Sequence, residues 1–231
     1  MVSAIRKSEF CCPCAFPCTN AEDRSPFLDQ STGFRFARGT VLWREGEPAT
    51  WMLVVGSGAV LLRKTEPRGG HTVLGLLTRG DMVGVEALLE GRVRPTEAVA
   101  LAAGRYRRID SDQVAKVLKK SPELWPAVLE ASCDRTAQAA ERADAPGKGP
   151  VHARLALFFV RLSESVGIRE ARGVFLPLPL RHRDLADIVG CRPETIARVL
   201  SGWRAKGLMS RQREGYVVER LPALRQLVVE G

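Results

Sequence analysis

Three histidines, His71, His152 and His182, are all that this chain of 231 residues contains, and none has a partner at metal-ligand spacing. No Ser/His/Asp grouping, Walker-type phosphate loop or facing pair of carboxylates can be assembled, so the chain is expected not to be an enzyme. No apolar run is long enough to span a bilayer, which takes about 20 residues, and no hydrophobic leader begins the chain. The expected compartment is the reducing cytoplasm, without membrane association. A disulfide scaffold is excluded too, although six cysteines are present, because a chain of this size has an ordinary apolar core to hold it together.

What is present begins with Leu178–Met209, LPLRHRDLADIVGCRPETIARVLSGWRAKGLM. Leu185, Ala186, Ile188 and Val189 recur at helical spacing, which predicts a first helix over about Arg183 to Val189, stopped at Gly190. Glycine suits the left-handed turn between two crossed helices. A second helix is predicted to start at Pro193, whose fixed φ is already helical and whose missing N–H costs nothing at the first position. Glu194 then falls in the positively polarised first turn. Ile196, Val199 and Leu200, with Trp203 a turn later, make the buried face and leave Arg192, Glu194, Thr195, Ala197, Arg198 and Ser201 outside. Glu194 and Arg198, four residues apart, share one side of the helix. A glutamate there accepts from cytosine N4 and an arginine donates a fork to guanine O6 and N7, each contact discriminating by about 1–3 kcal/mol. Taken alone, the pair reads equally well as a surface salt bridge worth a few tenths of a kcal/mol.

The residues that follow tip the balance. Gly207 ends the second helix, and Leu208–Glu219, LMSRQREGYVVE, carries a Glu-Gly turn between two short strand-like runs, a hairpin wing bearing Arg211 and Arg213. Arg204 lies near the far end of the helix, where phosphate contact is expected. From Val151 to Gly231 there are 14 Lys/Arg against 8 Asp/Glu, so this third of the chain holds +6 of the total +9. That asymmetry points to a polyanion, double-stranded DNA, as partner. Helix, turn, helix and basic wing together read as a winged helix-turn-helix.

The run from Asp184 to Leu200 has the pattern DLA-x-x-x-G-x-x-x-ET-x-x-R-x-L, and in this it resembles the Crp/Fnr superfamily of transcriptional regulators. The resemblance implies that Glu194 and Arg198 read bases and that Thr195 lies near backbone phosphates. Pro193 stands where the cyclic-AMP receptor branch has a further arginine, so a TTGAY-like half-site, as in the fumarate-nitrate and nitric-oxide-responsive branches, is implied rather than a TGTGA-type one. RNA polymerase is the further partner the resemblance implies. Arg181 occupies the first-helix start where the family has a capping Thr or Ser, which predicts a weaker cap.

Residues 34–63 alternate short apolar runs with Gly39, Gly46, Pro48, Gly56 and Gly58, the pattern of short strands joined by tight turns. GTVLWREGEP, VGSGAVLL and the Gly80-Asp81 turn are similar to the family's effector domain. The expected fold is therefore α+β: an N-terminal cyclic-nucleotide-binding-like β-roll (jelly roll), a long dimerisation helix and a C-terminal winged helix-turn-helix. Domains are placed at 1–24 (Cys-rich segment), 25–120 (roll), 121–145 (dimerisation helix), 146–150 (hinge) and 151–231 (DNA-binding domain). Cyclic nucleotide is not expected. In cyclic-nucleotide members a Gly-Glu pair and an arginine followed by Ser or Thr meet the ligand; here Val85 falls between Gly84 and Glu86, and Pro95 separates Arg94 from Thr96. Arg92 and Arg94 are then expected to be solvated loop charges, with an unrelated anionic ligand as the alternative.

Ser121-Pro122-Glu123 reads as a capped helix start. Leu124, Val128, Leu129, Ser132, Thr136, Ala139 and Ala143 mark a helical face, after Trp125, that is expected to pair with its twin in a homodimer. Two prolines and two glycines between Pro146 and Pro150 then interrupt it. Signal reception is expected at Cys11, Cys12, Cys14 and Cys18, packed as CCPCAFPC. Thiolates clustered this tightly are ligands for a soft metal or a redox pair. The fumarate-nitrate branch holds a 4Fe–4S cluster through similar N-terminal cysteines and one distant cysteine. The best register puts Arg107 at that distant position, leaving Cys12 or Cys133 as fourth ligand. An iron–sulfur cluster, a zinc site, a metal-free thiol switch and no sensing role all remain open here. Cys191, in the turn of the reader, is read as a small buried residue.

Overall fold

The computed structural model describes residues 30–66, 71–89, 91–126, 128–129, 132–133, 136 and 149–229. The four N-terminal cysteines and residues 146–148 of the expected hinge lie outside them. The chain divides into two compact units, residues 1–62 with 75–138 and residues 63–74 with 139–231. Among the described residues no helix is long and apolar enough to cross a membrane.

The N-terminal sheet has six strands: β1 (Thr32–Phe36), β2 (Val41–Trp43), β3 (Trp51–Thr65), β4 (His71–Leu77), β5 (Met82–Val83) and β6 (Glu97–Asp110). Their order is β1-β6-β3-β4, with β2 also on β6 and β5 also on β3. This is the β-roll that the glycine-punctuated runs predict. Strand β3 is buried on both faces because successive residues point to opposite sides. Leu53 and Val55 join Phe36, Trp43, Leu77 and Ala98 in one core, while Met52 and Val54 join Ile109, Val114 and Leu118 in another. Where β3 and β6 run closest, only glycine fits. A Cβ on Gly58 would stand 2.5 Å from the Ala103 carbonyl oxygen, and one on Gly104 would stand 2.0 Å from that of Ser57.

Helix α1 (Ser111–Lys120) follows β6 directly, its Asp110 N–H donating to Gln113 Oε1 at 3.2 Å. Val114, Val117 and Leu118 face the second core. Ser121 does not cap the next helix with its side chain. Pro122–Leu124 is instead a 3-10 turn, closed by the Leu124 N–H donating to the Ser121 carbonyl at 3.1 Å. Helical backbone then carries Trp125, Pro126, Val128, Leu129, Ser132, Cys133 and Thr136. The face assigned to this helix needs correction. Leu124 and Val128 are buried in the roll's own second core, whereas Trp125 and Leu129 are 44% and 59% exposed. One turn of helix lies against α1 and β6, and that packing claims the apolar positions on its inner side.

The C-terminal unit is built on α2 (Val151–Val166), followed by the hairpin β7 (Ile168–Glu170) and β8 (Gly173–Leu176). Then come α3 (His182–Val189), α4 (Pro193–Ala205), the hairpin β9 (Met209–Gln212) and β10 (Gly215–Val218), and α5 (Leu221–Val229). The four strands form one sheet in the order β7-β8-β10-β9. Ala153, Leu155, Ala156, Phe159 and Val160 of α2 are buried. The Phe159 ring meets Trp203 of α4 edge-on at 6.3 Å and Tyr216 of β10 at 5.4 Å.

Val128→Glu is expected to destabilise the roll by about 3 kcal/mol or more, since it buries an unpaired charge. Leu129→Glu next to it should change the stability of the roll by no more than about 0.5 kcal/mol when both proteins are compared as dilute monomers. Urea unfolding of the two variants measures the contrast.

Candidate nucleic-acid interface

Helix α3 starts at His182, one residue before the predicted boundary, and ends at Gly190, which has the left-handed φ of +73° that the turn demands. The cap that Arg181 cannot make with its own side chain is made in reverse. Asp184, at the third helical position, accepts from the Arg181 backbone N–H at 2.5 Å, and its charge suits the helix N-terminus. The amides of Gly190 and Cys191 both donate to the Ala186 carbonyl, at 2.8 and 3.0 Å, closing the turn. Helix α4 then begins with Pro193 at its first position, as predicted.

Burial on α4 follows the expected face. Ile196, Leu200 and Trp203 are buried and Val199 is half-buried. Arg192, Glu194, Arg198, Ser201 and Arg204 are exposed, with Thr195 and Ala197 half-buried. Neither Glu194 nor Arg198 has a hydrogen-bond or ion-pair partner within the described residues, so the i,i+4 salt bridge that would have been the ordinary alternative is not formed. Two side chains of opposite charge thus project from one helix side with their hydrogen-bonding capacity open.

The wing follows α4 in the chain and pairs β9 with β10. Arg211 in β9 and Arg213 in the turn at the hairpin tip are exposed, and the Arg211 guanidinium lies 5.7 Å from the Tyr216 ring centroid. Tyr216 donates its hydroxyl to the Leu180 carbonyl at 3.1 Å, tying the wing to the approach of α3. Burial pushes the Tyr216 phenol up from its ordinary value, so it stays a donor at neutral pH. Glu219 accepts from Ser210 at 2.7 Å and from Arg172 at 3.1 Å, fastening the wing to the β7–β8 hairpin. The sequence reading missed Tyr216 and Glu219; the only signal was a polar-tipped residue in an otherwise apolar strand.

In the roll, Arg92 is exposed as expected, but Arg94 is not a solvated loop charge. Its side chain is 0% exposed and pairs with Glu86 at 2.7 Å. It also donates to the Trp51 carbonyl and lies over the Trp43 and Trp51 rings at 4.3 and 5.1 Å. Its Nε has no partner. Gly84, at φ +96°, makes the room: a Cβ there would come within 2.7 Å of Arg94 Nη1. The reason lies in tertiary packing, because two indoles from β2 and β3, set edge to face with centroids 5.2 Å apart, form a corner that attracts a cation.

Among the described residues no group of three His, Cys, Asp or Glu is placed to hold a metal. Arg107 hydrogen-bonds Ser31 ahead of β1. Cys133 is exposed and Cys191 half-buried, both as free thiols. Burial pushes the Cys191 thiol up, with Arg154 pulling it partly back.

Residues 34–121 match the model of the cyclic nucleotide-binding domain, and residues 153–227 that of the Crp-like helix-turn-helix domain. The global nitrogen regulator of Nostoc sp. (strain PCC 7120) is 27% identical over 187 residues, covering 80% of this chain and 84% of that protein. The CRP-like cAMP-activated global transcriptional regulator of Mycobacterium tuberculosis (strain H37Rv) is 23% identical over 178 residues, 74% of this chain and 77% of that protein. Among solved structures, FixK2 from Bradyrhizobium japonicum aligns with a TM-score of 0.74 over 85% of this chain and 96% of that one, at 21% identity, a likeness of fold. The two relatives are named for different signals, so the likeness speaks to the fold and the DNA reader and not to the effector.

Arg94→Ala is expected to cost about 3–5 kcal/mol, because it leaves Glu86 without its cation and empties the space against the two indoles. Arg94→Met combined with Glu86→Gln should cost clearly less. Denaturant unfolding of both variants decides whether the pair or the volume dominates.

Proposed function

We propose that this chain, which belongs to the Crp/Fnr family of DNA-binding transcriptional regulators, reads a palindromic TTGAY-like site as a homodimer and answers redox, oxygen or nitric-oxide signals through Cys11, Cys12, Cys14 and Cys18. The observation that carries the DNA-reading part is the open row on α4, where Glu194 and Arg198 are exposed and, among the described residues, unpaired. Glu194 and Arg198 read base edges, while Thr195, Arg192, Ser201, Arg204, Arg211 and Arg213 meet backbone phosphates and set the register. RNA polymerase is the partner at the promoter.

A two-fold site asks for a two-fold protein. The exposed Trp125 and Leu129 supply the apolar surface for pairing of the helix that follows the roll, with Thr136 further along it. Leu129→Glu should then sediment as a monomer.

The donor chemistry of the N-terminal segment supports the sensing part. Four thiols within eight residues are a soft-metal donor set, and Arg107 leaves the distant ligand position without a thiol. Cys11, Cys12, Cys14 and Cys18 would hold an iron–sulfur cluster or zinc ion among themselves, with Cys133 as the other thiol available. A bound cluster supplies sensitivity to oxygen and nitric oxide. A second reading, an anionic small molecule in the roll, is favoured by one observation: the buried Arg94 with its unpaired Nε.

Replacing Glu194 or Arg198 by Ala is expected to weaken binding to a TTGAY palindrome by about 1–3 kcal/mol and relax preference at that base pair. Equal losses on specific and random duplexes for Arg198→Ala would remove its base-reading role. Anaerobically purified protein should show a visible absorption band that bleaches in air, lost in Cys14→Ser and Cys18→Ser and kept in Cys191→Ser. A colourless wild-type protein whose regulation survives loss of all four N-terminal thiols would move the sensor to the roll.

A further inference from the structure

Arg154 sits in the first turn of α2, and its guanidinium spreads over three backbone carbonyls from two distant parts of the chain. Nε donates to Val189 at 3.1 Å, Nη2 to Gly190 at 3.3 Å, and Nη1 to Gly149 at 2.7 Å. Val189 is the last residue of α3 and Gly190 its left-handed cap. Carbonyls at a helix C-terminus lack intrahelical donors and carry the negative end of the helix dipole, so a cation that is also a multiple donor satisfies both demands at once. Gly149 immediately precedes the Pro150 cap of α2. One side chain therefore fastens the turn between α3 and α4 to the start of α2.

The turn is otherwise thinly held. Its internal bonds are the two amides of Gly190 and Cys191 converging on the Ala186 carbonyl. The direction in which α4 leaves the turn decides where Glu194 and Arg198 point. We infer that Arg154 is a positioning residue for base reading: its guanidinium locks the α3–α4 turn to the first turn of α2 and so sets the angle at which α4 is presented. This rests on the base-reading role proposed for α4. The geometry needs the planar fork, because an ammonium at the end of a lysine is a single point of charge and cannot span three carbonyls with fixed directions.

The test compares full-length wild type with Arg154→Lys and Arg154→Ala, on a duplex that the wild type itself enriches from a randomised pool and on a random duplex, across a range of salt. The lysine variant, which keeps the charge, is expected to lose tenfold or more on the enriched duplex and less than threefold on the random one, with an unchanged salt slope. In both variants the amides of Gly190 and Cys191 should exchange with solvent at least tenfold faster, while those of Phe159 and Val160 inside α2 keep their rates. Equal losses on both duplexes with a slope reduced by about one would make Arg154 a phosphate ligand and overturn the inference. Unchanged exchange at Gly190 and Cys191, or full selectivity in Arg154→Lys, would overturn it as well. Should the wild type enrich no sequence, the base-reading role falls, and the exchange rates still decide whether Arg154 holds the turn.

Discussion

Phe159, at the middle of α2, touches both parts of the DNA-facing surface from behind. Trp203 of α4 and Tyr216 of β10 each set a ring edge-on against it, so the reading helix and the wing are keyed to one fully buried side chain. Edge-to-face contacts of this kind are directional, adding about 0.5–1.5 kcal/mol per pair beyond the area they bury. The consequence is geometric more than energetic. Base-edge recognition requires a helix placed to within a fraction of an ångström, and phosphate contacts from a wing must share that frame. A common aromatic anchor ensures that Arg198 and Arg211 are carried by elements that cannot shift independently.

Polar bonds then complete what the aromatic anchor begins. The Tyr216 hydroxyl reaches the Leu180 carbonyl, Glu219 gathers Ser210 and Arg172, and Asp184 closes the N-terminus of α3. The bonds of Tyr216 and Glu219 join separate elements, while that of Asp184 caps α3 locally. By contrast, Glu194 and Arg198 are held by none of these bonds. Supporting polar groups are spent inside the fold, and the groups that face outward keep their donors and acceptors open. This arrangement suits the base-reading role proposed for them, because a side chain already satisfied within the protein gains little from a base.

The roll makes the opposite use of charge. Arg94 is wholly buried and paired, at the position where the resemblance to cyclic-nucleotide-binding members would place an anion-binding arginine. Glu86, shifted by the intervening Val85, brings its carboxylate to the guanidinium, which lies in the corner made by the perpendicular Trp43 and Trp51 rings. A buried charge is tolerated only with such company. In this structure the Glu86 carboxylate is the counter-charge of Arg94.

Features decided within a few residues of one another were legible in the sequence. Gly190 must turn left-handed and Pro193 must begin a helix, whatever the rest of the chain does; the wing turn expected at Glu214-Gly215 closes one residue earlier, at Arg213-Glu214, with Gly215 already in β10. The alternating, glycine-cut runs of residues 34–63 likewise fixed strands and roll, and the spacing of Ile196, Leu200 and Trp203 left Glu194 and Arg198 outside. What depended on distant partners was not legible. Arg94 looked like a solvated charge because its indole corner comes from residues more than forty positions away. Val128 and Leu129 looked alike as apolar neighbours, yet α1 and β6 bury the first and leave the second exposed. Arg154 carried no local signal at all, since the carbonyls it holds belong largely to a helix that ends thirty-five residues later. Local rules act through backbone dihedrals and helical or strand periodicity, which neighbours in sequence determine; burial and pairing act through contacts that exist only once the chain has closed on itself.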